Sequence, residues 1–208
     1  IQFFINTEAD AFYSLAMNVV SLVEGVMPLA GLTPILALKA DSPRELAFIF
    51  NRSVKYGLWL GILLSVAGFI FLPAVLSFVF PKYEASIPVL RIMLFALPIY
   101  GVYKILKATL TVLREYRVLA MRILNEFLVI VLGSLVLLPA WNLAGIGAVY
   151  VGIYLERGWF LYRELIKRHP GFRIKFRSLV KIDKSDKQFI REGIYGFAET
   201  VRSFFRKI

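Results

Sequence analysis

An all-α fold, a polytopic membrane helix bundle with a basic amphipathic C-terminal tail, is what the sequence predicts, and three observations predict it. Hydrophobic residues make up 59% of the chain against 19% charged, and the mean hydropathy is +0.70, outside the range of ordinary soluble domains. The apolar residues come in long blocks, since neither 56–80 nor 127–155 contains a charged residue. A hydrocarbon core of about 30 Å takes about 20 helical residues to cross. The basic residues, finally, sit at alternate ends of these blocks.

Thr7 followed by Glu8 and Asp10 marks a helix start, with a capping hydroxyl and acidic residues where the helix dipole is positive. The first span is expected over 11–38, with kinks at Pro28 and Pro34 and one internal charge, Glu24. A short amphipathic helix is expected to follow from Asp41 to about Asn51, then a second span over 56–72. Pro73 is expected to open an apolar turn that ends at Pro81-Lys-Tyr-Glu84. A third span is expected over 86–113, a tight charged turn at Arg114-Glu-Tyr-Arg117, a fourth span over 118–138, and a fifth over 143–166 beyond Pro139-Ala-Trp-Asn142. About five transmembrane helices thus occupy 1–166, with a separate tail over 167–208.

Orientation follows from the basic residues, which are retained on the cytoplasmic side. Lys39, Arg44, Arg52 and Lys55 lie after the first span, and Lys107, Arg114, Arg117 and Arg122 flank the turn after the third. The loops at 73–85 and 139–142 hold only Lys82. The C-terminus is therefore expected in the cytoplasm and the protein in the cell membrane. The tail carries twelve basic and four acidic residues, +8 of the net +11. Ile190, Ile194, Phe197, Val201, Phe204 and Ile208 recur at helical steps, with Lys187, Arg191, Arg202 and Arg206 on other faces. Such a helix suits the anionic surface of membrane lipids. Nucleic acid is the competing partner for so basic a segment, but no recognition motif for it accompanies the charge, and no nucleic acid is expected to bind.

The chain opens on Ile1-Gln-Phe-Phe without a methionine or a signal peptide, so a piece of a longer protein is expected. There are no cysteines, and the single histidine, His169, sits in the basic tail, where a solvated loop residue is expected rather than a metal ligand. No zinc-protease, nucleophile-elbow, phosphate-loop or dinucleotide motif is present, so neither enzymatic catalysis nor a cofactor is expected, and no metal site is assigned.

The informative residues are charges inside the spans, because a charge at the bilayer centre costs about 2.5–3.5 kcal/mol on insertion scales. Glu24 is the ion-coupling candidate, its alternative being a hydrogen-bonded packing element. Arg91, with Lys104 and Lys107, is read as a basic track for an anionic substrate; snorkelling to the two interfaces is the other reading. Arg122, Asn125 and Glu126 form a polar cluster that either lines a cavity or is explained by the Arg122–Glu126 pair four residues apart. Glu156 and Arg157 are placed at the inner interface. Tyr100 and Tyr103 are packing aromatics or sugar-stacking platforms.

Three segments carry a resemblance. The stretch Leu76-Ser-Phe-Val-Phe-Pro-Lys-Tyr83-Glu-Ala85-Ser-Ile-Pro-Val-Leu90-Arg-Ile92 resembles a recurrent segment of the multidrug/oligosaccharidyl-lipid/polysaccharide flippase superfamily, with Phe80 or Pro81 in place of its usual glycine. Ala11-Phe-Tyr13-Ser-Leu-Ala16 is similar to the opening of a mid-chain helix of that family, and Leu143-Ala-Gly145-Ile-Gly147-Ala148 to the opening of its last helix. The resemblance covers about residues 5–166 and is nearest to the polysaccharide and O-antigen branch. It implies the last five helices of the second of two bundles that face each other across a cavity, with an N-terminal lobe of the same protein as partner. It also implies transport of polyprenyl-diphosphate-linked oligosaccharide for polysaccharide or glycoconjugate synthesis. Arg91, Lys104 and Arg122 would then hold the diphosphate. A cation-coupled drug exporter of the same superfamily is the alternative, resting on Glu24. A membrane anchor or assembly protein is a third, resting on the tail and predicting that loss of 170–208 abolishes function.

Overall fold

Regular structure is helical throughout the described residues, as backbone in hydrocarbon requires when every N–H and C=O must find a partner within the chain. The computed structural model describes residues 7–27, 36–37, 42–174 and 179. Helix α1 (Thr7–Val26) buries Ala16 and Val20. The expected continuation of this span to 38, with its kinks at Pro28 and Pro34, lies outside the described residues apart from Leu36 and Ala37, which are helical.

Helix α2 (Pro43–Val79) corrects two expectations. The amphipathic segment 41–51 is not a separate helix, and Pro73 does not end the span: 37 residues run without interruption. No breaker separates Asn51 from Tyr56, so the helix propagates from Pro43, whose fixed φ suits a first position. Pro73 forfeits only one backbone bond, which costs less in an apolar medium than opening the helix would. At 1.5 Å per residue α2 is about 55 Å long, longer than the hydrocarbon core, so its polar first turns, with exposed Arg44 and Glu45, reach beyond it.

After α2 the chain makes a 3-10 turn (Pro81–Ser86), where Tyr83 meets the rings of Phe12 and Phe80 edge-on at 5.8 and 6.4 Å. The single span expected over 86–113 is instead two helices, α3 (Ile87–Leu94) and α4 (Leu97–Val112), with a 49° bend between Pro81–Leu94 and α4. Pro98 explains the bend. It has no N–H for the carbonyl of Leu94, and Phe95 and Ala96 bond three residues back, to Ile92 at 3.2 Å and Met93 at 2.9 Å.

Glycines set how closely α2 meets α4. A Cβ on Gly57 would lie 2.5 Å from Ile105 Cδ1, one on Gly61 2.5 Å from Pro98 Cα, and one on Gly101 2.4 Å from the carbonyl oxygen of Gly57. Backbone rests on backbone along this seam, the arrangement that small residues permit between membrane helices.

Helix α4 ends with Arg114 in the left-handed region, φ 58°, and with Glu115 N–H donating to the carbonyl of Leu110 at 2.9 Å. Helix α5 (Tyr116–Arg168) follows and is broken once, at Asn142, where φ 49° and ψ −128° reverse the chain. Its arms, 116–141 and 143–168, lie antiparallel. Gly133 faces Val149, with a virtual Cβ 3.3 Å from Val149 Cγ2, and a Cβ on Gly145 would strike the carbonyl oxygen of Leu137 at 2.2 Å. Gly147 brings the second arm onto α3, its virtual Cβ 3.2 Å from Ile92.

By length and composition α2 and α5 can each cross a membrane, and the bent pair makes a possible third. Only 11% and 6% of their most apolar windows are buried within the protein. Phe71, Phe78, Leu124, Phe127 and Val136 all point outward. Apolar surface of that extent needs lipid or another apolar partner to cover it, and the chain is accordingly a membrane protein.

Candidate functional site

Polar side chains gather where α4 packs against the two arms of α5. Tyr100, Tyr103, Lys104 and Lys107 come from α4, at spacings that keep all four on neighbouring faces of one helix. Arg122 and Glu126, one turn apart, come from the first arm of α5. Tyr150, Tyr154 and Arg157, at steps of four and three, come from the second arm. The hairpin turn at Asn142 brings Glu126 opposite Arg157, and neither residue would meet the other without it.

The centre is Glu126. Arg157 approaches it as a fork, with Nε 3.1 Å from Oε2 and Nη2 on Oε1, and Arg122 Nη1 stands 2.9 Å from Oε2. Arg122 Nη1 also donates to the Tyr103 hydroxyl at 3.1 Å. The guanidinium of Arg157 stands over the rings of Tyr154 and Tyr103, 4.7 and 5.4 Å from their centroids, and that of Arg122 is 5.5 Å from Tyr103. Lys104 Nζ lies 5.1 Å from the ring of Tyr100. Cation–π contacts contribute about 0.5–1 kcal/mol when exposed and about 2 when desolvated. The forked pair and the rings together offset the cost of placing arginines in an apolar bundle.

Tyrosines continue the polar track along the second arm. Tyr154 packs edge-on against Tyr100, Tyr103 and Tyr150, with centroids 5.6, 6.0 and 5.0 Å apart, and these four residues are 5–8% exposed. Tyr150 then donates its hydroxyl to Glu24 Oε1 of α1 at 2.6 Å. Charge in the cluster is one-sided, with Lys104, Lys107, Arg122 and Arg157 against Glu126 and Glu156. Lys107 lies within electrostatic reach of Lys104, Arg122 and Arg157. Glu156 Oε2 is buried without a hydrogen-bond partner among the described residues.

The residues singled out in the sequence are treated unequally. Lys104 and Arg122 enter the cluster, and the Arg122–Glu126 pair forms. Asn125 is half-buried beside it and takes no part in these contacts. Arg91 is not brought to Lys104, so the basic track along one helix does not form. Thirteen residues at about 100° each set the two roughly 140° apart, and the Pro98 bend divides their helices. Exposed Arg91 instead stands over Phe69, 5.1 Å from its centroid. Glu24 is half-buried and held by Tyr150. Arg157, expected at the inner interface, is a central member. His169 is not simply solvated: it lies 3.2 Å from Glu115 and its ring meets Phe172, which is buried against Phe50. Lys187, Arg191, Arg202 and Arg206 of the tail lie outside the described residues.

Tyr150 and Tyr154 were missed, although with Arg157 their i, i+4, i+7 spacing marks one polar face on an apolar helix. Comparison with known protein families, with curated proteins and with solved structures finds no match to this chain. The functional reading therefore rests on these residues.

Proposed function

We propose that this chain is the C-terminal lobe of a flippase for lipid-linked oligosaccharide. The observation that carries the reading is the gathering of Lys104, Lys107, Arg122 and Arg157 among buried tyrosines, in excess over the carboxylates of Glu24, Glu126 and Glu156. A diphosphate joining a polyprenyl tail to a glycan supplies complementary charge, guanidinium forks suit its oxygens, and tyrosine rings offer faces to the sugars. The sequence resemblance points the same way. Membrane lipids would cover the exposed faces of α2 and α5, and an N-terminal lobe of the same protein would complete the cavity. The cell membrane, with a cytoplasmic C-terminus, is the location that the basic loops favour.

A second reading, a cation-coupled exporter, is favoured by the Tyr150–Glu24 hydrogen bond, which holds a carboxylate within the bundle. One experiment separates the two readings. Arg157→Gln and Glu24→Gln are introduced into the full-length protein in its own cell, and surface glycan, sodium- or pH-dependent drug efflux and protein abundance are measured. The flippase reading expects Arg157→Gln to lower glycan export at least tenfold at unchanged abundance. Normal export from that variant refutes it. Loss of coupled efflux in Glu24→Gln, with glycan export intact, favours the exporter.

A further inference from the structure

We infer that Glu126 is a built-in stand-in for the substrate's phosphate, occupying the anion site until substrate displaces it. The inference rests on the flippase reading and concerns how the same site is kept closed. Three donors from two arginines converge on this carboxylate: Arg157 Nε and Nη2 as a fork, and Arg122 Nη1. A phosphoryl group is gripped by the same donor set in the same plane.

An ordinary structural ion pair would leave its arginines without support once the carboxylate departed. Here both guanidiniums are held independently of Glu126. Arg157 rests on the rings of Tyr154 and Tyr103, and Arg122 on the ring and hydroxyl of Tyr103. The donors therefore stay in place while the carboxylate, on a flexible three-bond side chain, can swing out. Lys104 and Lys107 are close by, and among the described residues neither has a carboxylate in ion-pair contact. Their charge is thus at hand for a ligand that carries more than the single charge of Glu126. Glu126 and Arg157 lie on opposite arms of α5, so displacement also unties the arms at this level. Binding of the anion and loosening of the hairpin become one event.

The test is titration of the full-length protein in lipid nanodiscs with inorganic pyrophosphate, followed calorimetrically, for the wild type, E126Q and R157Q. E126Q keeps the shape of the side chain and removes its charge. Pyrophosphate should bind E126Q at least tenfold more tightly than the wild type, and R157Q at least tenfold more weakly. E126D, which retains the charge and withdraws it by one methylene, should fall between wild type and E126Q, and it serves as the test if E126Q does not fold. If the wild type binds pyrophosphate and the Glu126 variants bind it equally or less tightly, the stand-in role is overturned and the flippase reading survives. If neither the wild type nor any Glu126 variant binds it, both are overturned.

Discussion

Replacing Gly101 by Ala tests whether the backbone seam between α2 and α4 holds the bundle together. The new Cβ would stand 2.4 Å from the carbonyl oxygen of Gly57, 2.9 Å from its carbonyl carbon and 3.4 Å from its Cα, where ordinary contact begins at 3.4 Å. All three atoms are backbone, so no rotamer change relieves the clash, and the helices must part by about 1 Å at that level, as the difference between those distances requires. Gly61, four residues along α2, rests on the backbone of Leu97 and Pro98, so the seam cannot open at one end only. Overpacking of this kind costs about 1–3 kcal/mol. Alanine also gains about 1 kcal/mol in helix propensity over glycine, and Gly152→Ala is the matched control, because a Cβ there meets nothing within 4 Å. The difference between the two variants isolates the clash. At roughly 2–4 °C per kcal/mol for a chain of this length, Gly101→Ala should melt about 2–12 °C below Gly152→Ala in a detergent thermal-stability assay. Equal melting temperatures would refute the close approach of α2 and α4.

Asn142 adopts φ 49°, ψ −128° at an exposed hairpin turn, a region open to glycine and strained by about 1–3 kcal/mol for other residues. Asn142→Gly should raise the melting temperature and Asn142→Val lower it, and the reverse order would remove the reversal there. Glu115 ties the far end of the hairpin, 3.0 Å from Arg168 and 3.2 Å from His169. Exposed pairs of this kind contribute only about 0–1 kcal/mol, so Glu115→Gln should leave the melting temperature nearly unchanged. It should speed amide exchange at 168–172 measured by mass spectrometry, and unaltered exchange would show that the clasp does not hold that segment.

Much of the helical content was legible because lipid admits few alternatives. Charge-free blocks of 25 residues or more can satisfy their backbone only as helices, and the breaks at Pro81, Arg114 and Asn142 stood out as polar or proline-marked interruptions. Boundaries inside the apolar stretches were not legible. Pro73 and Pro98 look alike in sequence, yet the first sits inside the continuous helix α2 and the second follows the bend that divides α3 from α4. What surrounds each proline decides whether its free carbonyl is tolerated or becomes a bend.

The site divides the same way. Arg122 and Glu126 were found because their pairing is local, four residues apart on one helix. Arg157 was assigned to an interface because its partner lies 31 residues away across the hairpin. A shared face for Arg91 and Lys104 presupposes one continuous helix over 86–113, and the bend divides that stretch in two. Composition and charge distribution, then, determined the apolar solvent and the helical class, since these follow from each residue's own transfer energy. Which charges meet, how closely α2 and α4 approach, and where the polar track runs were decided only by tertiary structure. Each depends on the position of a partner that no local spacing encodes.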